Sequence, residues 1–305
     1  MPVAILDFGT NTFNLLIAKG DGQSFKTLYN GKQAVKLGRG GIHKGMLTDD
    51  AMERGYAAIK NHLETIASYH VTEIHAYATS AIRNAGNGME FVAEVKRRFN
   101  FDIHVISGEK EAELIYRGIK ESIDFKNQRG LILDIGGGSN EFIICDATHM
   151  FWKHSFELGM ARILEKFTIS DPITAEEVAT IEKYYNAELR LLLEKVEEYK
   201  PTLLIGASGS FDTIAAILKH KLNQSEYTTS SIEISLDQYS EIHNLLVAST
   251  LKEREMMPGM EPVRIEMIVP ATIFINFVID NCGISTLYQS AFALKEGVIS
   301  TLLES

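Results

Sequence analysis

The segment Ala4–Ile17, AILDFGTNTFNLLI, is the most informative part of the sequence, because its pattern returns 127 positions later as Leu131–Ile144, LILDIGGGSNEFII. In this alignment Asp7 matches Asp134, and Gly9 matches Gly136. In each copy an apolar run ends in an aspartate, a turn of small residues follows, and a second apolar run begins. This order is typical of a β-hairpin. Two copies predict two similar domains, since a repeated pattern reports a repeated structural unit.

Helices and strands are predicted to alternate between and after the hairpins, which favours an α/β fold. In the first half we expect a helix from Thr48 to about Tyr69, a strand over Glu73–Thr79, a helix over Gly88–Phe99, a strand over Asp102–Ile106 and a helix from Glu109 to about Glu121. In the second half, capping boxes at Thr174–Glu177 and Ser235–Gln238 each predict the start of a helix, and the first of these helices is expected to be long. A strand is predicted over Thr202–Ile205, and the segment Leu287–Leu303 closes the chain.

The polar stretch 122–129 gives the predicted boundary between two domains, residues 1–123 and 124–305. This division allows the final helix, about residues 290–305, to pack back on the first domain. A chain of 305 residues has the length of two average domains.

Composition narrows the class of protein. The chain is 45% apolar and 23% charged, as in a folded globular protein. Residues 1–123 carry 15 Lys and Arg against 14 Asp and Glu, net +1, and the other 182 carry 15 against 26, net −11, which gives the total of −10. This acidity argues against nonspecific nucleic-acid binding. It does not argue against a small or linear polyanion in a local cleft.

Compartment and membrane association are predicted from three further features. Cys145 and Cys282 both lie in apolar stretches, which indicates reduced, buried thiols. The N-terminus lacks the pattern of a secretory signal, so we expect a cytoplasmic protein. The longest apolar stretch, residues 267–279, is shorter than the roughly 20 residues that a bilayer requires, so no membrane span is expected.

The hairpin turns suggest phosphate chemistry. A glycine-rich turn lets backbone N–H groups approach an oxyanion, and the adjacent Thr12 or Ser139 adds a hydroxyl donor. Asp7 and Asp134 then lie beside the bound phosphate, and the like charges repel unless a cation lies between them. Mg²⁺ suits that position, because it binds one or two carboxylates together with phosphate oxygens and water. One such hairpin alone is more often just a tight turn.

Several separate motifs resemble the exopolyphosphatase/guanosine pentaphosphate phosphohydrolase (Ppx/GppA) family in their order along nearly the whole chain. They are Asp7–Asn14 (DFGTNTFN), Ala78–Asn87 (ATSAIRNAGN), Ile106–Ala112 (ISGEKEA), Leu133–Glu141 (LDIGGGSNE), Leu158–Arg162 (LGMAR) and Gly206–Gly209 (GASG). The resemblance implies two ribonuclease-H-like domains around an interdomain cleft, as in the actin/sugar-kinase/Hsp70 superfamily.

The resemblance also implies roles for individual residues. It makes Glu111 the catalytic base that deprotonates water, and it makes Asp134 and Glu141 metal-associated carboxylates, beside Asp7 of the first hairpin. It assigns phosphate binding to Arg83 and to three turns, which contain Asn11 and Thr12, Gly136, Gly137, Gly138 and Ser139, and Gly206, Ser208 and Gly209. Position alone leaves Glu109 as a rival base, and acidic residues also favour helix N-termini without any chemistry.

Exopolyphosphatase activity is the leading functional hypothesis: Mg²⁺-dependent removal of terminal phosphate from inorganic polyphosphate, with Lys36 and Arg39 steering the polymer. Family members commonly have Asp and Gly where this chain has Ala291 and Phe292, which weakens the case for a nucleotide base pocket. The alternatives are hydrolysis of guanosine pentaphosphate, a kinase of the same superfamily, and a non-catalytic sensor of polyphosphate or an alarmone. The sequence is compatible with a homodimer.

Overall fold

A computed structural model describes residues 1–20, 24–223 and 229–304, which form two lobes, each built on one sheet. The sheet of the first lobe has the order β3-β2-β1-β4-β5, with β1 antiparallel to β2 and parallel to β4. Its strands are β1 (Pro2–Phe8), β2 (Thr12–Gly20), β3 (Phe25–Ala34), β4 (Glu73–Ala78) and β5 (Ile103–Val105). Its helices are a 3-10 turn (Ile42–Lys44), α1 (Asp49–Ser68), α2 (Ser80–Arg83), α3 (Gly88–Phe99) and α4 (Gly108–Ile119).

The second lobe has a sheet of order β10-β11-β9-β6-β7-β8. Its strands are β6 (Gly130–Ile135), β7 (Asn140–Cys145), β8 (Met150–Phe156), β9 (Leu203–Ala207), β10 (Ser231–Ile234) and β11 (Thr286–Ser290). Its helices are α5 (Met160–Lys166), α6 (Ala175–Glu188), α7 (Arg190–Tyr199), α8 (Ser208–Lys221), α9 (Leu236–Ala248), α10 (Leu251–Glu255), α11 (Ile268–Asn281) and α12 (Leu294–Glu304).

The two predicted hairpins are confirmed, and they match in detail. β1 pairs with β2 and β6 with β7, both antiparallel. In each turn a glycine N–H donates to a carbonyl three residues later, from Gly9 to Thr12 and from Gly136 to Ser139, both over 3.0 Å. The repeat in the sequence is therefore a repeat in structure.

Helix starts follow their capping residues closely. Both predicted capping boxes are present, at Thr174 with Glu177 and at Ser235 with Gln238. The long helix predicted after Thr174 is wrong in one respect, because the backbone leaves helical geometry at Leu189 and separates α6 from α7. Leu189 is fully buried, and the break lets both helices turn apolar side chains toward the core of the second lobe. The closing segment Leu287–Leu303 divides into strand β11 and helix α12.

A shared core joins the lobes. Helices α4 and α12 pack against each other, α12 also contacts β1 and β2, and α4 contacts β7 and β8. Their apolar residues form one buried cluster with side chains from both sheets, including Ile5, Leu16, Ile132 and Ile143. A Cβ at Gly118 or Gly297 would meet the backbone of the other helix, so these glycines permit the close crossing. The two hairpins are thereby held with their turns on the same cleft.

Within the described residues, the structure contains no helix that is both long and apolar enough to cross a bilayer. Residues 268–279 of the apolar stretch belong to α11, and Ile268–Ile275 are all buried.

Candidate active site between the lobes

A cleft of about 290 Å³ lies where the hairpin turns of the two lobes meet. The turns touch each other directly: Gly137 abuts the side-chain amide of Asn11, and a Cβ at Gly138 would lie 2.6 Å from the hydroxyl of Thr10 and 2.5 Å from that of Ser80. A side chain at either position would have to displace these groups of the first lobe. The repeated turns therefore face one another across one shared site.

The structure brings most of the predicted site residues to this cleft. Its lining includes Asp7, Asn11, Thr12, Glu111, Asp134, Gly136, Gly137, Gly138, Ser139, Glu141, Ser208 and Gly209. Arg83 lies beside the cleft and contacts it through Glu111. Gly206 lies behind the turn that precedes α8, where the ring of Phe211 packs against it.

Glu111 lies in the first turn of α4, whose N-terminus is capped by Ser107 through a hydrogen bond from the Lys110 N–H (3.2 Å). Its carboxylate is buried and accepts a hydrogen bond from Arg83 Nη1 (2.9 Å), which also donates to the Ile106 carbonyl (3.1 Å). Two acceptors thus fix the guanidinium, and the guanidinium fixes Glu111. Glu109 points elsewhere, toward Lys153 and His154, with 54% of its side chain exposed.

Four carboxylates lie close enough to influence one another: Glu111, Asp134 and Glu141 are buried, and Asp7 is partly buried. Burial raises the pKa of Glu111 well above its ordinary value, and the charge of Glu141 adds to this, while Arg83 opposes it. Burial and the charge of Asp134 raise the pKa of Glu141 to about 8. Burial raises the pKa of Asp134 to about 6 and also raises that of Asp7. The site is poor in compensating positive charge.

Each hairpin pairs a carboxylate with a polar residue directly across the strands. Asp7 faces Asn14, whose amide donates to Oδ2 of Asp7 over 2.9 Å. In the second lobe Asp134 faces Glu141, so two acids occupy the equivalent positions. Ser139 and Ser155 both donate to Oε1 of Glu141 over 2.7 Å, and Ser208 hydrogen-bonds Asp134. Like charges directly opposite one another destabilise a sheet, and a bound cation would relieve this repulsion.

The oxygen donors of the cleft fit Mg²⁺ as a shared rather than a fully enclosed ion. Among the described residues, no group of three or more Asp, Glu, His or Cys side chains is arranged to hold a metal by itself. Mg²⁺ commonly takes only one or two carboxylates and completes its shell with water and phosphate oxygens. Asp134 with Glu141 or Asp7 supplies that number of ligands, at positions where burial and mutual repulsion favour a cation.

The N-terminus of α8 faces the same cleft. Ser208 begins the helix at φ +68°, and no side chain caps the first turn. Open N–H groups and the helix dipole make such a turn suitable for an anion. The guanidinium of Arg264 packs against Gly209 so closely that a Cβ would collide with it. Arg264 is buried, and its Nε–H has no hydrogen-bond partner among the described residues.

Among the described residues that line the cleft, sequence reasoning missed five charged ones, namely Lys32, Asp212, Arg264, Lys295 and Glu296. Asp212 comes three residues after the Gly206–Gly209 turn, and this closeness to a recognised motif could have indicated that it lies in the site. Arg264 lies in an irregular segment before α11, outside every recognised motif, so tertiary packing alone brings it to the site.

Glu157 connects the two lobes close to Arg83, the residue that holds Glu111. It accepts hydrogen bonds from Ser80 (3.2 Å) and Arg162 (2.7 Å) and lies 3.6 Å from Arg83 Nη2. Arg162, from the Leu158–Arg162 motif, also donates through Nε to the Gly138 carbonyl (2.8 Å). This network ties the second hairpin turn to α2, and so to the position of Arg83.

Lys36, which is expected to steer the polymer, lies where the two lobes meet. Lys36 forms an ion pair with Glu266 (3.3 Å), and Lys32 forms another with Glu261 (2.5 Å). Both acids belong to the second lobe, so these lysines also link the lobes. Arg39 is exposed.

Comparison with known proteins gives a consistent result. Residues 16–305 match the model of the Ppx/GppA phosphatase family. A crystal structure of an exopolyphosphatase from Cytophaga hutchinsonii is 35% identical, with coverage of 100% of this chain and 98% of that one, and has a TM-score of 0.97. A structure of the Aquifex aeolicus member of the Ppx/GppA family is 23% identical over 100% of this chain and 98% of its own, with a TM-score of 0.80. The predicted fold class is confirmed: the two lobes form the two-domain actin-like ATPase fold.

Proposed function

Because this chain belongs to the Ppx/GppA phosphatase family, we propose that it is an exopolyphosphatase that removes terminal phosphate from inorganic polyphosphate with the help of Mg²⁺. The observation that carries the proposal is the position of Glu111. It is a buried carboxylate, held by Arg83, on a cleft that two facing phosphate-binding turns line.

Glu111 acts as the general base. Its raised pKa makes the carboxylate a stronger proton acceptor than an exposed glutamate, and Arg83 favours its ionised form. Glu111 takes a proton from water, and the water oxygen forms a bond to the terminal phosphorus. The bond from that phosphorus to the bridging oxygen breaks, and its electron pair leaves with the shortened chain.

The turns position the phosphates. Backbone N–H groups of Gly137–Ser139, the hydroxyl of Thr12, and the open first turn of α8 are donors on the cleft wall. The N–H of Gly136 and the hydroxyl of Ser139 already donate within the second hairpin. Such donors stabilise the charge that spreads over the phosphate oxygens in the transition state. The contact between Gly137 and Asn11 keeps the donors of the two lobes at a fixed separation.

Mg²⁺ would be held by Asp134 together with Glu141 or Asp7, and it would neutralise phosphate oxygens that these acids otherwise repel. Among the described residues that line the cleft, six are acids (Asp7, Glu111, Asp134, Glu141, Asp212 and Glu296) and three are cationic (Lys32, Arg264 and Lys295). A polyanion would enter a cleft of that sign only with accompanying cations.

A side-by-side phosphate-release assay on polyphosphate, guanosine pentaphosphate and ATP with an acceptor tests the proposal. We expect release from polyphosphate in the absence of ATP. Preferential turnover of guanosine pentaphosphate would identify the closely related hydrolase instead. Consumption of ATP with an acceptor would identify a kinase, and binding without turnover would identify a sensor.

A further inference from the structure

Asp212 extends from α8 into the cleft, beyond the turn that is expected to bind phosphate. Its Oδ1 accepts a hydrogen bond from Gln289 Nε2 over 2.8 Å. Gln289 lies on β11, directly beside Gly206 of β9, so a neighbouring strand fixes the carboxylate in place. A negative charge is thus built into the wall of a site that otherwise suits anions.

Asp212 and Glu111 lie on opposite sides of Asp134 in the cleft. The strand order β8-β7-β6-β9-β11 places Ser155 beside Glu141, Glu141 beside Asp134, and Asp134 beside Ala207. Gly108, at the start of the helix that carries Glu111, packs against Ser155 of β8. Asp212 is hydrogen-bonded to Gln289 of β11, at the other side of this row.

In-line displacement determines which way the substrate extends. The attacking water and the leaving oxygen lie on opposite faces of the phosphorus. With Glu111 activating the water at one end, the leaving chain points toward Asp134, Ser208 and then Asp212. The second and third phosphates meet the open turn of α8 and Arg264, and any further phosphate meets Asp212.

The far end of the cleft offers little net attraction to additional phosphates. Lys32 forms an ion pair with Glu261 at 2.5 Å, and Arg264 packs against Gly209, one helical turn before Asp212 on α8. The cleft volume of about 290 Å³ is at the lower end of ligand pockets, which span roughly 300–1,000 Å³. Both features favour a short chain.

We infer that Asp212 is a specificity-determining residue that disfavours phosphate beyond the α8 turn, so that the protein prefers short chains such as tripolyphosphate to long-chain polyphosphate. The inference rests on the proposed function, because it assumes that the cleft binds a phosphate chain with its end at Glu111. Like-charge repulsion across a poorly solvated cleft is the discriminating force.

The test compares kcat/KM for tripolyphosphate and for long-chain polyphosphate at saturating Mg²⁺, in the unmodified protein and in Asp212→Asn. Asparagine keeps the oxygen that accepts from Gln289 but removes the charge. We expect the ratio of long-chain to tripolyphosphate kcat/KM to rise about tenfold. Asp212→Glu should keep the original ratio, and Asp237→Asn, which removes an exposed charge on α9, is the matched control.

An unchanged ratio in Asp212→Asn, or an equal rise in Asp237→Asn, would overturn the inference. Calorimetric affinities for both substrates in Glu111→Gln, with and without Asp212→Asn, separate this result from failure of the proposed function. If the unmodified protein releases no phosphate but Asp212→Asn still shifts the ratio of affinities toward long chains, the proposed activity fails and the role of Asp212 stands. If neither polyphosphate binds, both are overturned.

Discussion

Asp134 and Glu141 lie directly opposite each other on β6 and β7, where the first hairpin places Asp7 opposite Asn14. One hairpin therefore satisfies its aspartate with an amide, and the other opposes two carboxylates. Serine hydroxyls stabilise both acids without supplying positive charge. This difference between otherwise matched hairpins makes the second one the expected main site of Mg²⁺ binding.

Replacing Asp134 by Asn should raise the Mg²⁺ concentration needed for half-maximal activity by at least about tenfold, because a ligand charge is lost. A Mg²⁺ titration of phosphate release measures the effect, with Asp237→Asn as a control for loss of a remote charge. An unchanged titration would remove Asp134 from the metal site.

Replacing Arg83 by Met should lower kcat by about a hundredfold, since the variant loses both the donor to Glu111 and the tie to the Ile106 carbonyl. Arg83→Lys should recover only part of the loss, because an ammonium group does not reproduce the guanidinium fork. Steady-state kinetics on polyphosphate measure both variants. Full activity of Arg83→Lys would show that charge alone is required.

Adding a methyl group between the facing turns should destabilise the protein. Gly137→Ala places a Cβ against the amide of Asn11, and we expect the free energy of unfolding to fall by about 1–3 kcal/mol. The double variant Asn11→Ala/Gly137→Ala should recover part of this stability, because the colliding amide is gone. Denaturant unfolding of the single and double variants measures both. Equal stability of Gly137→Ala and the unmodified protein would mean that the lobes separate at little cost.

Stability should fall on mild acidification because of His62. This histidine of α1 is buried, bonds the Phe13 carbonyl (3.0 Å), and has its pKa lowered by burial and by the charge of Lys295. Below pH 6.5 the unfolded chain binds a proton that the native state does not, so the free energy of unfolding decreases by about 1.4 kcal/mol per pH unit until the native pKa is reached.

The stability curve of His62→Gln should lack this contribution, since glutamine does not titrate and retains an N–H donor. Urea unfolding from pH 7.5 to 5 compares the two proteins, with His220→Gln as an exposed control. If the free energies of unfolding of His62→Gln and the unmodified protein differ by a constant amount over that pH range, His62 does not cause the loss of stability.

The sequence correctly predicted those elements that depend on residues close together in the chain. Both hairpins, the capping boxes at Thr174 and Ser235, and the alternation of strands and helices follow from turn residues and periodicity, which act over a few positions. The break at Leu189 was not predicted, because it depends on how α6 and α7 reach a common core.

The sequence predicted those residues of the candidate site that lie within recognised motifs. Glu111, Asp134 and Glu141 reach one cleft, and their catalytic and metal-binding roles remain predictions. Arg264 and the pairing of Lys36 with Glu266 depend on contacts between segments far apart in the chain, so no local pattern reports them.

The role of Glu111 as general base is best tested by the rate of phosphate release from polyphosphate by Glu111→Gln, beside Glu109→Gln as the matched control on the same helix turn. We predict that Glu111→Gln lowers kcat by at least about a hundredfold while polyphosphate still binds, since general-base catalysis contributes about 10²–10⁴ in rate. Glu109→Gln should keep near-normal activity. Near-normal turnover by Glu111→Gln would show that Glu111 is not the general base.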